Sequence, residues 1–218
     1  MTTRTLYHFT FSPFARRVRL ALAHKGLTAT LVEGRTEPAR LAEVRKLSPV
    51  QTVPILVEPD GRALGDSTAI SHYLDATYPA APRIWPTEPE ALRTSLVAHA
   101  LVDVALNSLV DAGTRYYAAH DSPAWGAVKA AVIDRAHVAL RALAEHAKGR
   151  MGKTWTDSGW SAADMSVTTM VIWIEGWAAR APTNVLVTQL MTLGLELPPE
   201  LVAWTSTHRT LPQLAALG

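Results

Sequence analysis

Near the start of the chain the spacing of apolar positions changes period. Arg4 to Phe9 is short, aromatic and partly alternating, which predicts a strand. From Ser12 onward, Phe14, Val18, Ala21 and Leu22 recur at helical spacing, and Gly26 supplies a C-terminal stop. TATLVEG (28–34) reads as a second strand and PARLAEVRKL (38–47) as a short helix. TVPILVEP (52–59) and, across an Asp60–Gly61 turn, RALG (62–65) read as a β-hairpin. A further helix is expected from Asp66 to about Tyr78. The order β-α-β-α-β-β-α joins one parallel pair, linked by a right-handed crossover, to an antiparallel hairpin.

The pattern then breaks. TYPAAPRIWPTEPEA (77–91) carries Pro79, Pro82, Pro86 and Pro89, a density that no helix or central strand tolerates. Beyond it Ala, Leu, Val and Trp recur at helical spacing, with long segments from Pro89 to about His120 and from Pro123 to Lys148. A third helix is expected to open at SAAD (161–164). There the Ser161 hydroxyl can accept from the Asp164 backbone while the Asp164 carboxylate reaches back, a capping box ahead of Val167, Met170, Val171, Ile174 and Trp177. VLVTQLMTLGLEL (185–197) fits a helix or a strand and leans helical. His99, Asp103, Asn107, Asp111 and Arg115 fall at i, i+4 steps, the spacing of a wet helix face or a domain seam. The expected organisation is an α+β chain: a mixed domain over 1–78, a linker over 79–90 and an all-helical domain over 91–218.

Composition adds mainly exclusions. With 48% hydrophobic and 18% charged residues, the 218-residue chain has material for a real core. Its 21 Lys and Arg are scattered among 19 acids, for a net charge of +2, which argues against a nucleic-acid partner. The one local basic cluster is Arg16, Arg17 and Arg19. No cysteine is present, so disulfide scaffolds, thiolate metal sites and a protein thiol nucleophile are all ruled out. Any sulfur chemistry must use a sulfur brought by another molecule. The start, MTTRTLYHFTF, lacks a charged segment followed by a long apolar one, and no uninterrupted run of about 18 apolar residues occurs. A soluble, cytoplasmic protein with no membrane partner is the expectation.

Three short stretches could carry chemistry. Ser12 precedes Pro13, a residue favoured at the first helical position, so Ser12 reads as an N-cap. As a plain cap its hydroxyl serves only its own helix. Alternatively, the free amides and partial positive charge of a helix N-terminus, together with a hydroxyl, make a site where a thiolate is stabilised and a thiol of pKa about 8.5 is lowered toward neutrality. Arg16, one turn on, either adds to that field or is simply solvated. Val53-Pro54 opens an apolar strand, and a cis bond there would turn the Val53 backbone into a peptide-pairing edge. Gly65-Asp66-Ser67 starts the next helix, where hydroxyl and amides could receive a small carboxylate and Asp66 could face an amine of the same ligand. A plain N-cap is the alternative.

The ordered set of an SPF helix start, a VP strand start, DS, a proline-rich linker and an SxxD capping box in a helical second half resembles the cytosolic glutathione transferases, over essentially the whole chain. The resemblance implies an N-terminal thioredoxin-like domain, with the closing ELPPELVAWTSTHRTLPQLAAL (196–217) as the last helix and tail. It implies glutathione as cosubstrate, no metal, a homodimer and a role in detoxification. By position, Ser12 matches the serine that hydrogen-bonds the glutathione sulfur in serine-type members. Thr10 is a rival for that role. Val53 matches the residue whose backbone pairs with the glutathione cysteine, Pro54 the cis-proline, and Asp66 and Ser67 the residues holding the γ-glutamyl end. Thr52 stands where relatives often carry Lys or Gln, and Arg40 could replace that contact to the glycine carboxylate. Phe11, Phe14 and Tyr116 are candidates for the wall of the pocket for a hydrophobic electrophile, with ordinary core packing as the alternative for each, and the resemblance also sets Phe14 among the residues expected beside the cosubstrate. A bacterial serine-type glutathione S-transferase, acting through nucleophile activation, is therefore expected. The alternative is a non-catalytic ligand-binding or protein-interaction module of the same fold. A disulfide or quinone reductase would need a protein cysteine at the first helix, and this chain has none.

Overall fold

A computed structural model of the chain describes residues 3–34 and 37–217, with the side chains of 116–119 outside that description. The first half comprises β1 (Thr5–His8), α1 (Pro13–His24), β2 (Thr30–Glu33), α2 (Pro38–Leu47), β3 (Ile55–Val57), β4 (Ala63–Gly65) and α3 (Ser67–Thr77). These are the seven elements the periodicity predicts, in the predicted order. The strands are shorter than their apolar runs. β3 begins only after Pro54, which has no N–H to give a ladder, and the chain already turns back at Glu58, whose N–H donates to the Arg62 carbonyl.

The sheet order is β2-β1-β3-β4, with β1 parallel to β2 and antiparallel to β3, which is antiparallel to β4. Register settles where the loops meet. His8 lies beside Glu33, Tyr7 beside Ile55, and Ile55 beside Gly65. One edge of the sheet therefore gathers the carboxyl ends of β1, β2 and β4 and the amino end of β3.

The second half is helical: α4 (Pro89–Ala119), α5 (Trp125–Lys148), α6 (Ala162–Glu175), α7 (Trp177–Arg180), α8 (Val185–Met191) and α9 (Pro199–Ser206), closed by a 3-10 turn at Pro212–Leu217. Helix α6 is the pivot. Ala162 and Met165 complete the sheet-side core with Leu6, Val18, Leu56, Ile70 and Leu74. Val167, Met170, Val171 and Trp173 join Val102, Leu106, Leu140 and Trp204 in the helical core. A helix caught between two cores has no wet face, which is why its sequence is apolar nearly all round. Pro89–Arg115 of α4, with mean hydropathy 1.4, is long and apolar enough to cross a membrane, but its Ala98, Val102, Ala105, Leu106 and Leu109 are buried in that helical core.

The connecting segment is fastened rather than loose. The buried Asp75 carboxylate accepts from Lys25 Nζ at 2.9 Å and from the N–H groups of Ile84 and Trp85 at 2.9 and 2.8 Å. The Ile84 carbonyl in turn receives the Ala162 N–H at 2.7 Å. This chain of bonds seats α6 against the first half.

Candidate active site

The loop from β1 into α1 is short and specified by its residues. Ser12 is in extended conformation, its N–H donates to the Phe9 carbonyl at 2.8 Å, and its Oγ accepts the Ala15 N–H at 3.3 Å as a helix cap, with Pro13 at the first helical position. The hydroxyl proton has no acceptor among the described residues. Thr10 differs in this respect: its N–H and its hydroxyl both donate to Glu33 Oε2 at 2.8 Å. Of the two hydroxyls, Ser12 is the one with its proton to offer.

At the same sheet edge, Val53 and Pro54 are joined by a cis bond. Neither the N–H nor the carbonyl of Val53 has a hydrogen-bond partner among the described residues, leaving a bare peptide edge. Asp66 caps α3 with φ +70°, accepting from the N–H groups of Thr68 at 2.8 Å and Ala69 at 2.9 Å. That positive φ is unusual for a non-glycine residue and belongs with residues held for a local purpose. The Ser67 hydroxyl is buried and receives Arg17 at 3.4 Å. The structure thus brings Ser12, Val53, Pro54, Asp66 and Ser67 to one edge. Arg40 follows β2 on α2, paired with Glu43 at 2.9 Å, and Thr52 is exposed beside Val53. Phe11 and Phe14 pack against the helical core, so both stand between the two halves of the molecule. Tyr116, the other expected wall residue, lies outside the residues whose side chains are described.

The arginines of α1 are what the sequence reading left undecided. Arg16 is not solvated: it is 2% exposed, donates Nε to the Thr10 carbonyl at 3.2 Å, and is lowered to about 10 by burial, then by the nearby charges of Arg180 and Arg19. Arg17 points the other way, to Ser67, to Asp103 at 2.7 Å and to His99 Nε2 at 3.2 Å. Residues in one helical turn point to different faces, and the run ARRVR does not say which face is covered. Helix α6 and its neighbours decide that.

His99 shows that the polar row on α4 is a seam at one end and a wet face at the other. Its Nε2 meets Thr68 Oγ1 at 2.8 Å, its Nδ1 meets Ser166 Oγ at 2.8 Å, and Asp103 Oδ2 lies at 3.5 Å. Further along, Asp111 and Arg115 form an exposed ion pair. Burial, then the adjacent Arg17, lowers His99 to about 3, with Asp66 opposing and His72 reinforcing the shift. A histidine held neutral stabilises the fold above its unfolded pKa of about 6.5, and this contribution is lost as the pH falls below that value because the unfolded chain takes up the proton first. Between pH 7 and 5 the protein is expected to lose about 2 kcal/mol through this residue. Urea denaturation at the two pH values should give a smaller loss for His99→Gln; equal losses in both proteins would contradict the assignment.

Comparison with known proteins agrees with this geometry. Residues 6–82 match the model of the glutathione S-transferase N-terminal domain. Glutathione S-transferase Z1 of Arabidopsis thaliana is 33% identical over 111 residues, covering 48% of this chain and 46% of that protein. The probable maleylacetoacetate isomerase 1 of Drosophila melanogaster is 38% identical over 93 residues, covering 40% and 37%. The matches thus span less than half the length of these curated relatives. A Methylobacterium radiotolerans glutathione S-transferase, solved in complex with glutathione sulfonate, shares the fold over 97% of this chain and 92% of its own, with TM-score 0.75 and 22% identity. One from Methylobacillus flagellatus, solved with glutathione bound, aligns over 99% of both chains with TM-score 0.73 and 23% identity. Residues 6–82 thus match a glutathione S-transferase N-terminal domain, and the sheet order and two-part architecture of the whole chain are the fold of these solved glutathione S-transferases.

Proposed function

We propose that this protein is a serine-type glutathione S-transferase. The observation that carries the reading is the Ser12 hydroxyl, which accepts from its own helix and keeps a proton to donate beside the amino end of α1. Glutathione lies along the Val53 backbone, its peptide pairing with the free N–H and carbonyl there. Its γ-glutamyl end meets Asp66 and Ser67, whose hydroxyl Arg17 helps to orient. The glycine end runs toward Thr52 and Arg40.

Held there, the sulfur faces the Ser12 hydroxyl, the first amides of α1 and the positive end of that helix, with buried Arg16 one turn away. Each of these favours the thiolate over the thiol. The proton leaves to solvent, and the thiolate attacks an electrophilic carbon: a C–S bond forms and the leaving group departs with its electron pair. The nucleophile belongs to the cosubstrate, consistent with a chain that has no cysteine. The acceptor binds against Phe11 and Phe14, under the helical half.

Calorimetric titration with glutathione, followed by turnover of 1-chloro-2,4-dinitrobenzene, tests this reading. Binding with glutathione-dependent conjugation is expected. No heat at millimolar glutathione would contradict it, and binding without turnover of any acceptor would favour a ligand-binding module instead.

A further inference from the structure

The acceptor side of the site has an unusual charge balance. Arg180, at the end of α7, places its guanidinium carbon 5.0 Å from the centre of the Phe11 ring, and Arg16 places its own at 6.0 Å from the same ring. Two cations therefore flank one aromatic side chain that sits next to Ser12 in the chain. Neither has a carboxylate partner among the described residues: Arg16 donates to the Thr10 carbonyl and Arg180 to the Gly176 carbonyl at 3.4 Å. The charged groups that act on Arg16 are themselves arginines, Arg180 and Arg19. Glu175, the nearest acid in sequence, is engaged by Arg209.

The neighbouring rings add donors and no acceptor. Trp173 lies 5.6 Å from Phe11, and Trp177 meets Trp173 edge-on at 5.1 Å. Both are buried, and the indole Nε1 of each has no hydrogen-bond partner among the described residues. Two like charges pushed together, one of them out of water, disfavour each other, and buried donors without acceptors add to the imbalance. A bound anion relieves the clash of the two cations, and a guanidinium fits a planar oxyanion better than it fits a point charge.

We propose that the acceptor pocket takes electrophiles carrying a carboxylate on an apolar body, the carboxylate resting on Arg180 in the field of the buried Arg16 and the body on Phe11. The proposal rests on the transferase reading only in calling the ligand an electrophile. The anion site itself can be tested without catalysis.

The probe is 3-nitrobenzoate, with 3-nitrobenzamide as its neutral twin, titrated into glutathione-saturated protein while tryptophan fluorescence is followed. The benzoate should bind about tenfold more tightly than the amide. Arg180→Gln should abolish that preference, and Arg180→Lys, which keeps a charge, should restore part of it. Equal affinities of wild type for the two probes would overturn the proposal whether or not the protein conjugates anything, as would a preference that survives Arg180→Gln. An apparent benzoate affinity that falls in proportion to added glutathione would also overturn it, assigning the cations to the cosubstrate. Failure of conjugation alongside a retained benzoate preference would instead count against the transferase reading and leave the anion site standing.

Discussion

Replacing Ser12 with alanine is expected to slow conjugation by about 10²- to 10³-fold at neutral pH, the range seen when one donor to a developing or full anion is removed from a preorganised site. The expectation is specific because two roles of the residue separate. As a helix cap, Ser12 is worth only about 1 kcal/mol, so the variant should still fold. As a thiolate donor, its loss should raise the pKa of bound glutathione, and the slower rate should recover partly as the pH is raised. Ser12→Thr should retain much of the rate, since a hydroxyl remains. Thr10→Val is the control: its hydroxyl is already committed to Glu33, and the rate should stay close to that of wild type. A Ser12→Ala enzyme as fast as wild type across the pH range would remove the residue from the mechanism.

The second large effect is on stability. Asp164→Ala is expected to destabilise the protein by about 3–5 kcal/mol, the cost of leaving several buried hydrogen-bond donors without an acceptor. Asp164 is fully buried, and its carboxylate accepts the Trp155 N–H at 2.7 Å, the Ser161 N–H at 2.9 Å and the Ser161 hydroxyl at 2.9 Å. Alanine leaves two backbone N–H groups without partners in a dry setting. It also loosens the start of α6, the helix that both cores share. Ser161→Ala removes one side of the capping box and should cost only about 1 kcal/mol. Urea denaturation of the three proteins measures the difference, and a loss below about 1 kcal/mol for Asp164→Ala would contradict the role given to this carboxylate.

What the sequence discloses and what it withholds follow from the range of the interactions involved. Helix α2 runs over Pro38–Leu47, the span the sequence predicts, because Pro38 marks its start locally. The capping box at SAAD is equally local and was legible for the same reason. In 185–197 the helix stops at Met191, well before the apolar run ends. Gly194 takes φ +71°, and Pro198 and Pro199 prevent continuation until α9 begins. The site divides in the same way. Ser12, Val53, Pro54, Asp66 and Ser67 are found by turn and cap chemistry at single positions, and the sheet register brings them together. Arg16, Arg17 and Arg180 acquire meaning only once the two halves pack together, because Arg180 meets Arg16 at the Phe11 ring and Arg17 reaches Asp103, contacts between residues far apart in the sequence. His99 and Asp103 were legible as a row of polar residues, but which end of the row is buried depends on Arg17 reaching across to α4.

The account rests on a hydroxyl and a helix end making a bound sulfur anionic at neutral pH. Titrating the thiolate absorbance of glutathione bound to wild-type protein and to Ser12→Ala tests that idea most directly. An apparent pKa below about 7.5 in wild type, rising toward the free-thiol value of about 8.5 in the variant, is predicted. Bound glutathione that ionises near about 8.5 in both proteins would contradict it.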